Sequence, residues 1–169
     1  MNGPLKLGKL LLLPKRNNLD LRFKQQVHSA CLHEVNTKLA LLQNELEQAL
    51  TAGNNETKST AGDKHETGRA MAQLEQENLR KQIGSTLEIL HALNSLQPSK
   101  PNDKALAGAL VQTDSMYLYL GAPLGQVSVG GTTVFAISLV SPLGKLIFGK
   151  EAGTQFAFNN FQTSIKAIV

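Results

Sequence analysis

Two carboxylates, Asp63 and Glu66, stand three residues apart in the segment AGDKHETGRA, between two long stretches with helical periodicity. Asp-x-x-Glu at the start of a helix is the spacing of a capping box, in which the two side chains satisfy free amides of the first turn. Carboxylates exposed at the end of a helix pair are also available as chemical reagents. The spacing alone favours the cap and leaves the second interpretation open.

The histidines and the single cysteine form no recognised catalytic or metal motif. His65 is one imidazole between two carboxylates, which is not a typical zinc ligand set. His28 and His33 lack the His-Glu-x-x-His spacing, so we expect ordinary residues on a helix surface. Cys31 falls among apolar positions of the first helical stretch, which predicts a buried thiol.

The stretch from Leu19 to Ala52 has the periodicity of a helix with one apolar face. Asn17 or Asn18 is a suitable cap for its start, and Gly53 is a suitable stop. At 1.5 Å per residue such a helix is roughly 50 Å long and should project from a small globular core. The predicted apolar face comprises Phe23, Val27, Cys31, Val35, Leu39, Leu42, Leu46 and Ala49.

A second helical pattern follows the acidic segment and runs to about Leu96, where Pro98 and Pro101 end it. Two helices of similar length with a short connection should pack antiparallel as a hairpin, with the acidic segment at its tip. Gly84 weakens the second helix by roughly 1 kcal/mol relative to Ala, and the sequence offers no reason for it. The predicted apolar face comprises Met71, Leu74, Leu79, Ile83, Leu87, Leu90 and Leu93.

The composition changes after QPSKPND, a segment typical of a linker. Glycine becomes frequent and short β-type runs appear: GALVQT, SMYLYL, GQVSVGG, TTVFAISLV, QFAFNN and TSIKAIV. Ser141 and Pro142 suit the cap and first position of a short helix that Gly149 ends. The predicted fold class is therefore α+β, a helical hairpin followed by a small, mostly antiparallel sheet with one short helix.

Length, charge and cysteine content limit the class of protein. The 169 residues are 41% hydrophobic, which is typical of globular proteins and excludes disorder throughout. The net charge of +4 favours contact with polyanions or acidic surfaces. One cysteine excludes an internal disulfide framework and fits a reducing cytoplasm, where we expect the protein.

The N-terminal arm combines apolar and basic residues. Its leucine run, Leu10 to Leu13, is shorter than the core of a signal peptide and far shorter than a membrane span, so we expect neither export nor membrane contact. The basic residues are compatible with nucleic-acid contact, although a plain arm or an edge strand is the simpler interpretation. They are Lys6, Lys9, Lys15 and Arg16.

This order of elements resembles the Gre-type transcript cleavage factors of bacterial RNA polymerase. GDKHE keeps Gly-Asp-x-x-Glu at the hairpin tip, where that family carries an acidic pair. ISLVSPLGKLIFGKEAG looks like the family's C-terminal signature of Ser-Pro, a short helix and Gly-Lys. The resemblance covers about residues 19–169, and the segment NNETKSTAGDKHETGRAMAQLEQENL looks like a branch of the family known from the Bacteroidetes group.

The resemblance implies a β-domain of FK506-binding-protein-like fold that docks at the rim of the polymerase secondary channel while the hairpin threads inward. The tip carboxylates Asp63 and Glu66 would then help hold a second Mg²⁺ of the polymerase and position a water that cuts backtracked RNA. Mg²⁺ suits this role because it binds one or two carboxylates together with waters and phosphates. The chain alone would bind no cofactor and would be no enzyme, contacting nascent RNA only indirectly and acting as a monomer.

The tip departs from the family pattern in the residues that follow the acidic pair. An acidic position of the family is occupied by Arg69, and Lys64 adds a second positive charge. These departures leave a non-cleaving regulator that binds in the channel, or a plain coiled-coil interaction module, as alternatives. The predicted binding residues are Lys58, Lys64 and Arg69 near the tip and Ser141, Pro142, Lys145 and Lys150 in the β-domain.

The predicted domain organisation has four parts. An arm covers residues 1–17, the hairpin covers 18–97 with its acidic tip near 54–69, a linker covers 98–103, and the β-domain covers 104–169. We expect no prolyl isomerase activity, because the chain has no Trp and its own core can use the aromatic residues of the β-domain.

Overall fold

The structure is a computed structural model that describes residues 19–56 and 64–169, with the backbone alone described at 52–56 and 64–66. Two long helices come first, α1 (Leu21–Glu56) and α2 (Lys64–Asn94). The second half contains one short helix, α3 (Pro142–Ile147). Its strands are β1 (Leu110–Thr113), β2 (Tyr117–Leu120), β3 (Gly125–Val129), β4 (Thr132–Ile137), β5 (Gln155–Phe158) and β6 (Phe161–Ile168).

The ends of α1 differ from the prediction. Asp20 caps its start, because its Oδ1 accepts a 2.7 Å hydrogen bond from the amide of Phe23. The predicted caps Asn17 and Asn18 lie outside the described residues. The predicted stop at Gly53 is wrong, since α1 continues through that residue to Glu56. A glycine inside a helix costs only about 1 kcal/mol relative to Ala, which is too little to end a long helix by itself.

The predicted apolar face of α1 is confirmed, because every one of its residues is buried or half-buried. The prediction for α2 is wrong in part: Met71, Leu74 and Leu87 are exposed. Other residues of α2 face α1 instead, among them Gln76 and Thr86. The Gln76 side-chain amide donates to the carbonyl of Ala49 at 3.3 Å, and the Thr86 hydroxyl donates to Gln82 within α2.

The second half folds into one six-stranded sheet with the order β3-β4-β2-β1-β6-β5. All neighbouring pairs are antiparallel except β2 and β4, which run parallel. The predicted fold class is confirmed: an α+β chain with a helical hairpin followed by a small β-domain with one short helix.

The sheet has a core on each face, because successive side chains of a strand point to opposite sides. Tyr119 of β2 faces the base of the hairpin, in one core with Val27, Cys31 and Leu93. Leu118, its neighbour in β2, faces the other way, into a second core that includes Ile147 of α3. The hairpin base and the sheet therefore share a core, while the limits given above for the four domain parts stay predictions.

Two buried polar side chains join the hairpin base to the second half. Lys24 is fully buried, and its Nζ donates to the carbonyl of Lys100 and to Oδ1 of Asn102, both at 2.6 Å. His28 is also buried, and its Nδ1 shares a 2.8 Å hydrogen bond with the Tyr119 hydroxyl. The prediction that His28 lies on the helix surface is therefore wrong, because the sheet covers that face of α1.

Candidate functional site

The distal part of the hairpin extends beyond the β-domain. The sheet borders α1 as far as Lys38, which lines a small cleft together with Gln126 at the start of β3. The rest of α1, residues 39–56, continues for about 27 Å at 1.5 Å per residue. Here the two helices pack against each other, and this projecting part carries the acidic segment at its end.

The predicted tip residues fall at the start of α2. Because α2 begins at Lys64, Asp63 directly precedes the helix and Glu66 is its third residue, which matches the spacing of a capping box. Asp63 and Lys58 lie outside the described residues, and the side chains of Lys64 and Glu66 are not among those described. Both interpretations of the acidic pair, as a cap and as reagents, remain predictions.

The described side chains of the projecting part carry exposed charges of both signs. Residues 39–51 and 67–79 carry the exposed carboxylates of Glu45, Glu47, Glu75 and Glu77. Arg69 is the one cation in these two segments and is exposed, and the exposed cations Arg80 and Lys81 follow directly in α2. The predicted binding role of Arg69 stays a prediction.

The second predicted surface is built around α3. Ser141 is its N-cap: its Oγ accepts from the amide of Gly144 at 3.0 Å and donates to the carbonyl of Ser138 at 2.6 Å. Pro142 occupies the first helical turn, as the sequence predicts. These two hydrogen bonds of the Ser141 hydroxyl position α3, and the binding role of Ser141 stays a prediction.

Gly144 is a residue that the sequence analysis missed. A Cβ added there would overlap the carbonyl oxygen of Ser138 and would lie 2.9 Å from the Cα of Leu139. The start of the segment after β4 therefore passes directly over the first turn of α3, and only glycine leaves space for it. No local sequence signal identifies this requirement, because it arises from the packing of the turn around Ser141.

Some charged side chains of the β-domain form ion pairs and others do not. Lys104 forms an ion pair with Glu151 at 3.1 Å, and Lys166 forms one with Asp114 at 2.8 Å. The hydrogen bonds from Lys166 and Ser164 hold the pKa of the Asp114 carboxyl well below its ordinary range. Asp114 and Glu151, the two acidic side chains after residue 103, are thus both in ion pairs.

Lys145 and Lys150 form no ion pair within the described part of the chain. Lys145 is exposed on α3, and Lys150 is half-buried just beyond its end. Two large apolar side chains next to α3, Val140 and Phe148, are also exposed. Together with Pro142, these residues form a basic and partly apolar surface, called here the α3 surface. It complements an acidic protein partner that has apolar side chains of its own.

The described residues contain no group of three or more His, Cys, Asp or Glu side chains that is suited to hold a metal ion. Two carboxylates at the tip would supply hard oxygen ligands of the kind that Mg²⁺ prefers, but they are too few to form a complete site. The metal role of Asp63 and Glu66, shared with a partner, stays a prediction. No helix among the described residues is long and apolar enough to cross a membrane.

Comparison with known proteins gives one structural similarity. The chain is similar in fold to the solved structure of the transcription factor Gfh1, with 18% sequence identity over 82% of this chain and 93% of that chain, at a TM-score of 0.36. No protein-family model matches the chain, and no curated protein matches it.

Proposed function

We propose that this chain is a bacterial transcription elongation factor that binds RNA polymerase, inserts its hairpin into the secondary channel and supports cleavage of backtracked RNA. The observation that carries the proposal is the hairpin itself, whose distal part extends about 27 Å beyond the sheet and ends at the segment with Asp63 and Glu66. A small core does not need helices of this length. Their purpose in this proposal is to deliver the tip to a site that the β-domain cannot reach.

In this proposal the acidic pair, Asp63 and Glu66, takes part in the cleavage chemistry. Asp63 and Glu66 provide anionic oxygens at the end of the hairpin, which favours approach to a cation. Asp63 and Glu66 would help hold a Mg²⁺ of the polymerase, and that ion would supply activation of a water and stabilisation of the leaving oxygen. In this proposal the chain stimulates the polymerase's own reaction and is not itself an enzyme.

Docking is assigned to the α3 surface. Lys145 and Lys150 supply positive charge and Phe148 supplies an exposed apolar side chain, which together fit an acidic rim on the polymerase. Contact with nascent RNA is indirect in this arrangement, through the tip alone. We place the protein in the cytoplasm and expect it to act as a monomer.

Transcript cleavage by backtracked complexes of the host's core polymerase tests the role of the acidic pair. Asp63→Asn and Glu66→Gln should each reduce stimulated cleavage by roughly 10- to 100-fold, the range seen when groups that support a metal site are removed. The melting temperature and the affinity for polymerase should not change, because Asn caps a helix nearly as well as Asp. Glu88→Gln is the matched control, since it removes an exposed carboxylate of α2 at the base of the hairpin and should leave cleavage unchanged.

Co-purification with core polymerase tests the docking surface separately. The double substitution Lys145→Glu and Lys150→Glu should abolish binding, because it reverses the charge of the α3 surface without removing any ion pair described above. Lys81→Glu, at an exposed position on α2, is the control for charge alone and should retain binding. Equal binding of both variants would overturn the assignment of this surface.

A non-cleaving regulator that occupies the channel is the second candidate, and the exposed Arg69 near the tip favours it. Its guanidinium partly offsets the charge of the acidic pair. If the wild-type protein binds polymerase but never accelerates cleavage, even at raised Mg²⁺ and pH, the reagent role of Asp63 and Glu66 is wrong. A plain interaction module would bind its partner equally well after both carboxylates are replaced.

A further inference from the structure

The face of the sheet that carries α3 is incompletely covered. Because α3 has only six residues, it leaves a cavity of about 360 Å³ at the end of the sheet where the β1-β2 and β5-β6 turns meet. This volume is within the range of ligand pockets. The apolar residues that line its inner part are Met116, Leu118, Leu143, Phe156 and Phe158.

The cavity offers no free charge among the residues that line it. Asp114 stands at its edge, but its Oδ1 is paired with Lys166, and its Oδ2 accepts from the Ser164 amide at 2.6 Å. Phe161 lies at the mouth with 75% of its surface exposed, although it is one of the largest apolar side chains in the chain. An apolar cavity with an exposed aromatic residue at its mouth favours an uncharged, apolar occupant.

The described chain begins at the same end of the sheet. Leu19 packs against the core between the hairpin and the sheet. One turn further on, the ring of Phe23 meets the ring of Tyr117 edge to face, with centroids 5.8 Å apart. Tyr117 directly follows Met116, which lines the cavity on the other face of the sheet. The segment that precedes Leu19 therefore starts close to the cavity, with the sheet's end between them.

The preceding segment contains the leucine run Leu10 to Leu13, which lies outside the described residues and has no part in the proposed function. Five residues lie between Leu13 and Leu19, and the extended chain from one leucine to the other spans about 20 Å. Packed layers are separated by about 10 Å, so this length is sufficient to pass around the end of the sheet.

We propose that the leucine run of this chain's own N-terminal arm binds in the cavity between α3 and the β5-β6 turn. The arm would then cover the apolar surface that α3 leaves open. The basic residues on both sides of the run would remain in solvent. This interaction is independent of the proposed function, because it involves neither the hairpin tip nor the polymerase.

Tryptophan fluorescence tests the proposal directly, because the natural chain contains no Trp. Leu12→Trp in the full chain should show emission at shorter wavelength and several-fold weaker quenching by acrylamide than Lys6→Trp, the control in the same arm. Phe161→Glu should remove that difference by placing a charge at the mouth. Because Phe161 is exposed, this change should leave the melting temperature nearly unaltered.

A second measurement covers the case in which Trp is too large for the cavity. Cys31 is fully buried, so in Leu12→Cys combined with Phe161→Cys the two new thiols should form an intrachain disulfide under mild oxidation. Lys6→Cys combined with Phe161→Cys should form much less. An unshifted Trp emission together with equal cross-linking of the two pairs would overturn the proposal. So would a shift that grows with protein concentration, which would indicate a second copy as the occupant.

Discussion

The base of the hairpin and its projecting part differ in what covers their apolar residues. At the base, Val27, Cys31 and Leu93 are fully buried between the two helices and the sheet. In the projecting part, Leu46 is half-buried, and Leu74 is 58% exposed. The core at the base is formed by the two helices and the sheet, whereas in the projecting part the two helices contact each other alone. Most of the folding free energy should come from the base, which leaves the distal residues available for function.

Matched truncations of leucine test this difference with the largest expected effect. Leu93→Ala should lower the free energy of unfolding by about 2 to 5 kcal/mol, because it removes a fully buried side chain and leaves a cavity. Leu46→Ala should cost about 1 kcal/mol, since that side chain is only half-buried. Urea unfolding followed by circular dichroism measures both. Equal losses would show that the projecting part contributes to the core as much as the base does.

The next largest effect concerns the hydrogen bond between the hairpin base and the sheet. Tyr119→Phe should lower the free energy of unfolding by about 1 to 3 kcal/mol, because Nδ1 of the buried His28 loses its partner. Replacing both residues, as His28→Leu with Tyr119→Phe, should cost less than the sum of the two single changes. Additive losses in this double-mutant cycle would contradict a direct coupling between the two side chains.

Lys24 makes the stability of the hairpin base depend on pH. Burial disfavours its charged form and lowers its pKa from 10.5 to about 8. Between these values the unfolded chain keeps the proton that the folded chain has released, so stability should rise with pH from about 8 to 10.5. Below pH 8 both states are protonated, and the cost of burying the charge is fully present.

The variant Lys24→Met isolates this contribution, because it lacks the titrating group. The wild-type protein should gain stability relative to the variant by at most about 1.4 kcal/mol per pH unit within that window. Urea unfolding of both proteins at pH 7.5 and 10 measures the difference. If the difference stays constant, Lys24 titrates at its ordinary value and is not buried as the structure shows.

The sequence predicts local structure better than it predicts contacts between the two halves. The strands and the Ser141 cap follow rules that operate over a few residues, and the structure confirms them. His28 was misplaced because the sheet that covers it begins more than 80 residues later in the chain. Gly144 was missed because its requirement comes from the carbonyl of Ser138 after the turn has packed.

The error in α2 has a similar origin. The apolar residues Met71 and Leu74 suggest an apolar face of α2 that continues to the tip. Both are exposed, however, and Gln76 contacts α1 there instead. The chemistry of the tip is the least predictable part. Capping and metal binding demand the same residue types at the same spacing, so no pattern distinguishes them.

The smallest expected effect is at Gly84, in the middle of α2 and on the part of the hairpin beyond the sheet. Gly84 is exposed, and a Cβ added there would meet nothing within 4 Å. Gly84→Ala should therefore raise the free energy of unfolding by up to about 1 kcal/mol, because Ala restricts the unfolded chain and favours the helix.

Thermal unfolding of Gly84→Ala measures this gain, and Ser85→Ala, at the next exposed position of the same helix, is the matched control with a smaller change in propensity. A loss of stability would mean that another part of the chain packs on Gly84 and that this side of the hairpin is not free. A gain in stability combined with weaker binding to polymerase would have a different meaning. The absence of a side chain at Gly84 would then allow the channel wall to approach α2 closely. The lower helix stability at this position would be the cost of that contact.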